Sequence, residues 1–150
     1  MSLLIGLRNS TEQTVPIGGS VDFGAVYRRY DKKGCKCGLR AFESTCRSIT
    51  LQQSGIYHVT IVATISAPVA GDVILQATDN ESPIIGITAT ETITVPETEF
   101  RNITLDFFVL VDDDSILNSY AVAAESISLV NVGTIEVTVS NIVVNVVKEV

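Results

Sequence analysis

The sequence predicts an all-β fold, two antiparallel sheets packed face to face, and three observations carry that prediction. Val, Ile and Thr supply 51 of the 150 residues. Side chains branched at Cβ are stiff at χ1 and pack well on a pleated surface, which favours strands over helices. Apolar and polar residues alternate with period two in run after run, as they do when a strand buries one face and wets the other. Turn residues separate the runs: Pro-Val-Ala-Gly at 68–71, Asp-Asn-Glu-Ser-Pro at 79–83, Pro96, the acidic stretch 112–115 and Asn-Val-Gly at 131–133. Eight or more strands at this spacing point to a sandwich or jelly roll, and residues 1–150 are expected to form one domain.

Taken in order, residues 20–30 alternate as Val21, Phe23, Ala25 and Tyr27. The Ser-Gly turn at 54–55 then opens the longest run, Tyr57, Val59, Ile61, Ala63, Ile65 and Ala67, opposed by His58, Thr60, Thr64 and Ser66, with Val62 also on that second face. Val73, Leu75 and Ala77 follow, and after them Ile85, Ile87, Ala89, Ile93 and Val95 against four threonines. Glu91 puts a charge on that otherwise apolar face, which suits a sheet edge or a strand that bends away from the core. Ile103, Leu105, Phe107, Val109 and Val111 make the next run, then Ile127 and Leu129, then Ile135, Val137 and Val139. No helix is needed anywhere.

The last run breaks the pattern. Ile142, Val144 and Val146 share one face of a strand while Val143 and Val147 share the other, so both faces need cover. Either a second subunit or a loop of the same chain supplies it; in the first case all five residues belong to an oligomer interface.

Charge is unevenly spread. The chain carries −7 overall, yet residues 28–47 hold seven of its ten basic side chains, Arg28, Arg29, Lys32, Lys33, Lys36, Arg40 and Arg47, against only Asp31 and Glu43. A positive segment therefore rides on a negative body. It reads either as solvated turn residues or as a docking surface, chiefly Arg28, Arg29, Lys32, Lys33, Lys36 and Arg40, for an acidic protein partner. No nucleic acid is expected, since the chain is acidic and the patch lacks a recognition motif or an aromatic platform.

Chemistry has few candidates. Cys35, Cys37 and Cys46 lie in the basic segment as C-x-C and a third Cys. They read either as ordinary thiols or as three soft ligands of a cluster completed from elsewhere, and a zinc site would want a fourth. An odd number excludes a complete intrachain disulfide framework. Asp112-Asp113-Asp114-Ser115 lacks the spacing and glycine of a calcium loop. There is no G-x-S-x-G elbow, no phosphate loop and no second histidine beside His58. No enzyme activity and no cofactor are expected. The opening residues MSLLIGLRNS carry too short an apolar run for a secretion signal, and no stretch reaches the roughly 20 apolar residues of a membrane span, so synthesis and folding in the cytoplasm, with no membrane partner, are the expectation.

The segment SITLQQSGIYHVTIVATISAPVAGDVILQ resembles the opening strands of the trimeric jelly rolls related to tumour necrosis factor and the complement globular heads. The chain as a whole resembles small structural proteins of tailed bacteriophages. The matching residues are LRNSTEQTVPIGGSVDFGAVYRRY at 7–30, KCGLRAF at 36–42, SGIY at 54–57, FRNITL at 100–105 and NIVVNVVKEV at 141–150. It departs at 106–125, where such relatives carry further cysteines, so no thiol or metal cluster is carried over. The resemblance implies a jelly roll of the tumour-necrosis-factor type, a homotrimer, and a virion structural role as a capsid decoration or head-fibre component assembled in the host cytoplasm. The major capsid protein or a neighbouring virion protein would be its partner. The alternative it implies is a trimeric receptor- or carbohydrate-binding module at a tail or fibre tip.

Overall fold

A computed structural model describes residues 3–31, 40–112 and 124–149. Among them are eleven strands and no helix: β1 (Leu3–Asn9), β2 (Gln13–Val15), β3 (Ala25–Tyr30), β4 (Phe42–Thr45), β5 (Ser48–Leu51), β6 (Gly55–Ser66), β7 (Gly71–Asp79), β8 (Ser82–Ile93), β9 (Arg101–Val111), β10 (Glu125–Asn131) and β11 (Val137–Lys148). Two antiparallel sheets result. A six-stranded sheet runs β3-β1-β11-β6-β9, with β2 also on β11, and a five-stranded sheet runs β4-β5-β10-β7-β8. The expected all-β jelly-roll sandwich is what the chain forms.

The core lies between the sheets and is filled by the alternating residues that the period-two runs single out. Tyr57, Val59, Ile61 and Ala63 of β6, Val73 and Leu75 of β7, and Leu129 of β10 are fully buried. Each Val, Ile or Leu side chain withdrawn from water contributes about 1.5–3 kcal/mol. Tyr57 packs edge-on against Phe42, ring centroids 5.7 Å apart. Its hydroxyl donates to the Gln53 carbonyl at 2.6 Å, and burial pushes its pKa up to about 12.

The run at 20–30 does not form one strand. Val21 and Phe23 are buried, but Gly24 adopts φ +80° and β3 begins after it. A Cβ on Gly24 would land on the Arg8 carbonyl oxygen, so only glycine lets the chain turn there. The face expected for 85–95 holds at Ile87, Ala89 and Ile93, which face the core, and is corrected at its two ends. Ile85 is 97% exposed, with Ile84 packed against the core in its place, and Val95 is 53% exposed. Gly86 at φ +86° and a register shift between Gln76 and Thr78 produce the change at Ile85. The Gln76 amide clamps this irregularity by donating to the carbonyls of Ala77, Ile84 and Ile87 at 2.8–3.1 Å. Among the described residues β8 pairs only with β7, so Glu91 does lie on an edge strand.

Candidate assembly surface

β11 sits between β1 and β6 in the six-stranded sheet, and this position divides its two-sided apolar run. Ile142, Val144 and Val146 are at most 1% exposed and point at the other sheet. They are core residues, so their assignment to an oligomer interface is corrected. Val143 and Val147 are half-buried on the opposite, outer face.

Strand register assembles that outer face from four strands. Leu4, Val147, His58 and Phe108 stand in one row across β1, β11, β6 and β9; Gly6, Asn145, Thr60 and Asp106 in the next; Arg8, Val143, Val62 and Thr104 in the third. Ile56 and Leu110 pair beyond the first row. Phe108, Leu110, Val62 and Ile56 are each 40–64% exposed. A β-sandwich normally wets such a face with polar residues; here Ile56, Leu110 and Phe108 form one exposed apolar cluster, with Val62 beyond the polar row of Asn145, Thr60 and Asp106, and an exposed apolar cluster of this kind marks a contact surface.

His58 belongs to this face as more than a surface residue. Its ring stacks on Phe108 with centroids 4.6 Å apart, its Nε2 meets the Asp106 carboxylate, and its Nδ1 lies 3.7 Å from Glu149. Asp106 is 48 residues away in sequence, so only the β6–β9 pairing joins them. At the other margin of the sheet the charge is positive. The guanidinium carbons of Arg8 and Arg28 lie 5.3 and 5.2 Å from the Tyr27 ring centroid, within range of cation–π attraction. Tyr27 lies flat on the sheet because Gly6 leaves room: a Cβ there would come within 2.7 Å of both the Tyr27 ring and Asn145. Its hydroxyl donates to Asn145 Oδ1 at 2.7 Å.

Of the six basic residues singled out for docking, Lys32, Lys33 and Lys36 lie outside the described residues, as do Cys35, Cys37 and the acidic stretch from 113 on. Arg29 has a structural task. Its Nε lies 2.6 Å from Asp31, whose side chain is fully buried, and it also donates to the Phe42 carbonyl. The hydrogen bond to Asp31 raises the Arg29 pKa further, against the effect of burial. A buried carboxylate needs such a partner, so Arg29 is assigned to the fold. Arg40 lies 3.7 Å from the same carboxylate but stays 45% exposed, and Arg28 is exposed. Cys46 is an exposed free thiol in the turn between β4 and β5. Among the described residues no group of three His, Cys, Asp or Glu is placed to hold a metal.

No family model matches the sequence, and no curated protein matches it. Solved structures do match in fold. The crystal structure of murine APRIL at pH 5.0 superposes with a TM-score of 0.66 at 9% identity, covering 99% of each chain. The globular domain of a zebrafish complement 1qA protein gives 0.60 at 8% identity, over 96% of this chain and 94% of that one. The PRD1 vertex protein P5 gives 0.50 at 16% identity, over 97% and 96%. At these identities the likeness concerns the fold: the chain has the jelly roll of the tumour necrosis factor and complement-head type.

Proposed function

We propose that this chain is a non-enzymatic virion structural protein of a tailed bacteriophage, a capsid decoration or head-fibre subunit that works as a homotrimer. The observation that carries the reading is the apolar outer face of the six-stranded sheet, where Phe108, Leu110, Val62 and Ile56 stand exposed. The two margins of that face differ in charge: Arg8 and Arg28 flank one, Asp106 the other, with Glu149 close by against His58. Complementary margins on one surface favour a head-to-tail contact, and such contacts form a ring when the rotation between copies closes. Three subunits is the number implied by the sequence resemblance to the jelly-roll trimers. PRD1 P5, whose name makes it a vertex protein, has the same fold, so the fold is compatible with a place on a virion.

Docking falls to the basic segment. Arg28, Lys32, Lys33, Lys36 and Arg40 meet an acidic surface on the major capsid protein or a neighbouring virion protein, with Arg29 held back by Asp31. Exposed ion pairs contribute only about 0–1 kcal/mol each, so several act together, and binding weakens as salt shortens the screening length from about 10 Å at 0.1 M to about 3 Å at 1 M. The test is co-sedimentation with particles. The triple variant Lys32→Glu, Lys33→Glu, Lys36→Glu is expected to stay in the supernatant with an unchanged melting curve; a variant that pellets as fully as the parent sinks the docking assignment.

A further inference from the structure

At the other end of the same sheet face, three strands bring hydroxyls into one row. Thr138 of β11 pairs with Thr14 of β2 on one side and with Ser66 of β6 on the other, so neighbouring side chains stand about 4.8 Å apart across the sheet. These three line an open cavity of about 390 Å³, together with Glu12, Glu97 and Phe100. Ser66 is only 3% exposed, and its hydroxyl makes no hydrogen bond among the described residues. Phe100 is 56% exposed. Glu12 and Glu97 make no ion pair among the described residues, whereas nearby Glu99 is held by Thr94 and Arg101.

Glu97 is held in place by the loop it sits on. Its N–H donates to the Ala67 carbonyl at 2.8 Å, which ties the β8–β9 connection to the β6–β7 connection. Its φ is +67°, a left-handed conformation that a glycine or asparagine adopts with less strain. A carboxylate kept against a conformational cost and aimed at no basic partner points to a ligand.

We propose that this cavity binds a neutral saccharide. Ionised carboxylates accept short, strong hydrogen bonds from sugar hydroxyls. Serine and threonine hydroxyls both donate and accept, as sugar hydroxyls do, a capacity that a bare cation would leave unused. The Phe100 ring offers an apolar face to the C–H side of a pyranose, and the volume lies within the usual range for small-molecule sites. Among the described residues no basic side chain lines the cavity, so acidic sugars are repelled. Thr138 is five residues along β11 from Val143, roughly 15 Å at strand rise. The site is therefore separate from the apolar patch and does not depend on the assembly reading.

The test is a titration of the isotope-labelled full chain with methyl glucoside, methyl galactoside and N-acetylglucosamine, read by amide shifts. At least one is expected to shift the amides of Thr14, Ser66, Glu97 and Thr138 saturably. Glucuronate is expected to leave them unmoved. Glu12→Gln with Glu97→Gln, and separately Phe100→Ala, should each weaken binding about tenfold or more without lowering the melting temperature. The proposal is overturned if none of the three sugars shifts these amides, if the variants bind as the parent does, if glucuronate binds equally well, or if n-butylammonium alone produces the shifts, which would make the cavity a cation site.

Discussion

Asn131, at the end of β10, is a fully buried polar side chain that several segments share. Its amide donates to the carbonyls of Val15 and Ile135 at 3.2 and 2.9 Å and accepts from the Gly133 N–H at 3.0 Å, while its backbone pairs with Gly18 and Gly19. Sequence shows an Asn in an Asn-Val-Gly turn, and nothing local reveals that one of its partners, Val15, lies 116 residues away. Asn131→Leu keeps the volume but strands two carbonyls and an N–H, each at a cost of about 1–3 kcal/mol. A fall in unfolding free energy of several kcal/mol in urea is expected. At Glu125 the hydrogen bond with Asp79, then burial and the charges of Asp79 and Asp112, push the pKa up to about 7 from an ordinary value near 4.5. A raised carboxyl pKa means that the folded state holds the proton more tightly, so its stabilisation is complete below about pH 4.5 and is lost as pH rises through 7. The melting temperature of Glu125→Gln, which lacks this titration, is expected to fall less than the parent's between pH 5 and pH 8. Parallel pH profiles for the two proteins would remove the assignment.

Among the elements, those buried on one face were legible and those shaped by glycine were not. The runs of β6, β7, β9 and β10 alternate through residues that all sit in the core, because period two maps directly onto the two faces of a sheet. β8 departed from the same reasoning only before Ile87, where Gly86 and the bulge beside Gln76 put Ile84 inside and Ile85 outside. β3 did so through Gly24, and β1, β2 and β4 were too short or too close to the basic segment to stand out as strands. In β11 the alternation was legible but its consequence was not: whether a face meets the other sheet or solvent depends on neighbours that sequence does not name. Two contrasts check this account. Gly24→Ala is expected to cost at least about 1–2 kcal/mol from its positive φ alone, with the clash against Arg8 in addition. Val144→Asp puts an unpaired charge in the core and should abolish the folded circular dichroism signal. Val143→Asp, one residue along and on the outer face, should fold.

At the scale of the whole molecule, the sandwich places an apolar surface on one sheet, basic side chains at one margin of it and acidic ones at the other. The basic segment was visible in the sequence as a charge excess, but the apolar face was not. Its residues come from β6 and β9, on the faces opposite the runs that fill the core, and period two in the sequence singles out the core-facing set rather than Phe108 and Leu110. Whether this face joins copies of the chain is decided by sedimentation equilibrium of the unmodified chain beside the double variant Phe108→Asp, Leu110→Asp. Both side chains are more than half exposed, so the variant should fold as the parent does. A mass of three chains is expected for the parent and of one chain for the variant. A parent that sediments as a single chain, or a variant that remains trimeric, would contradict it.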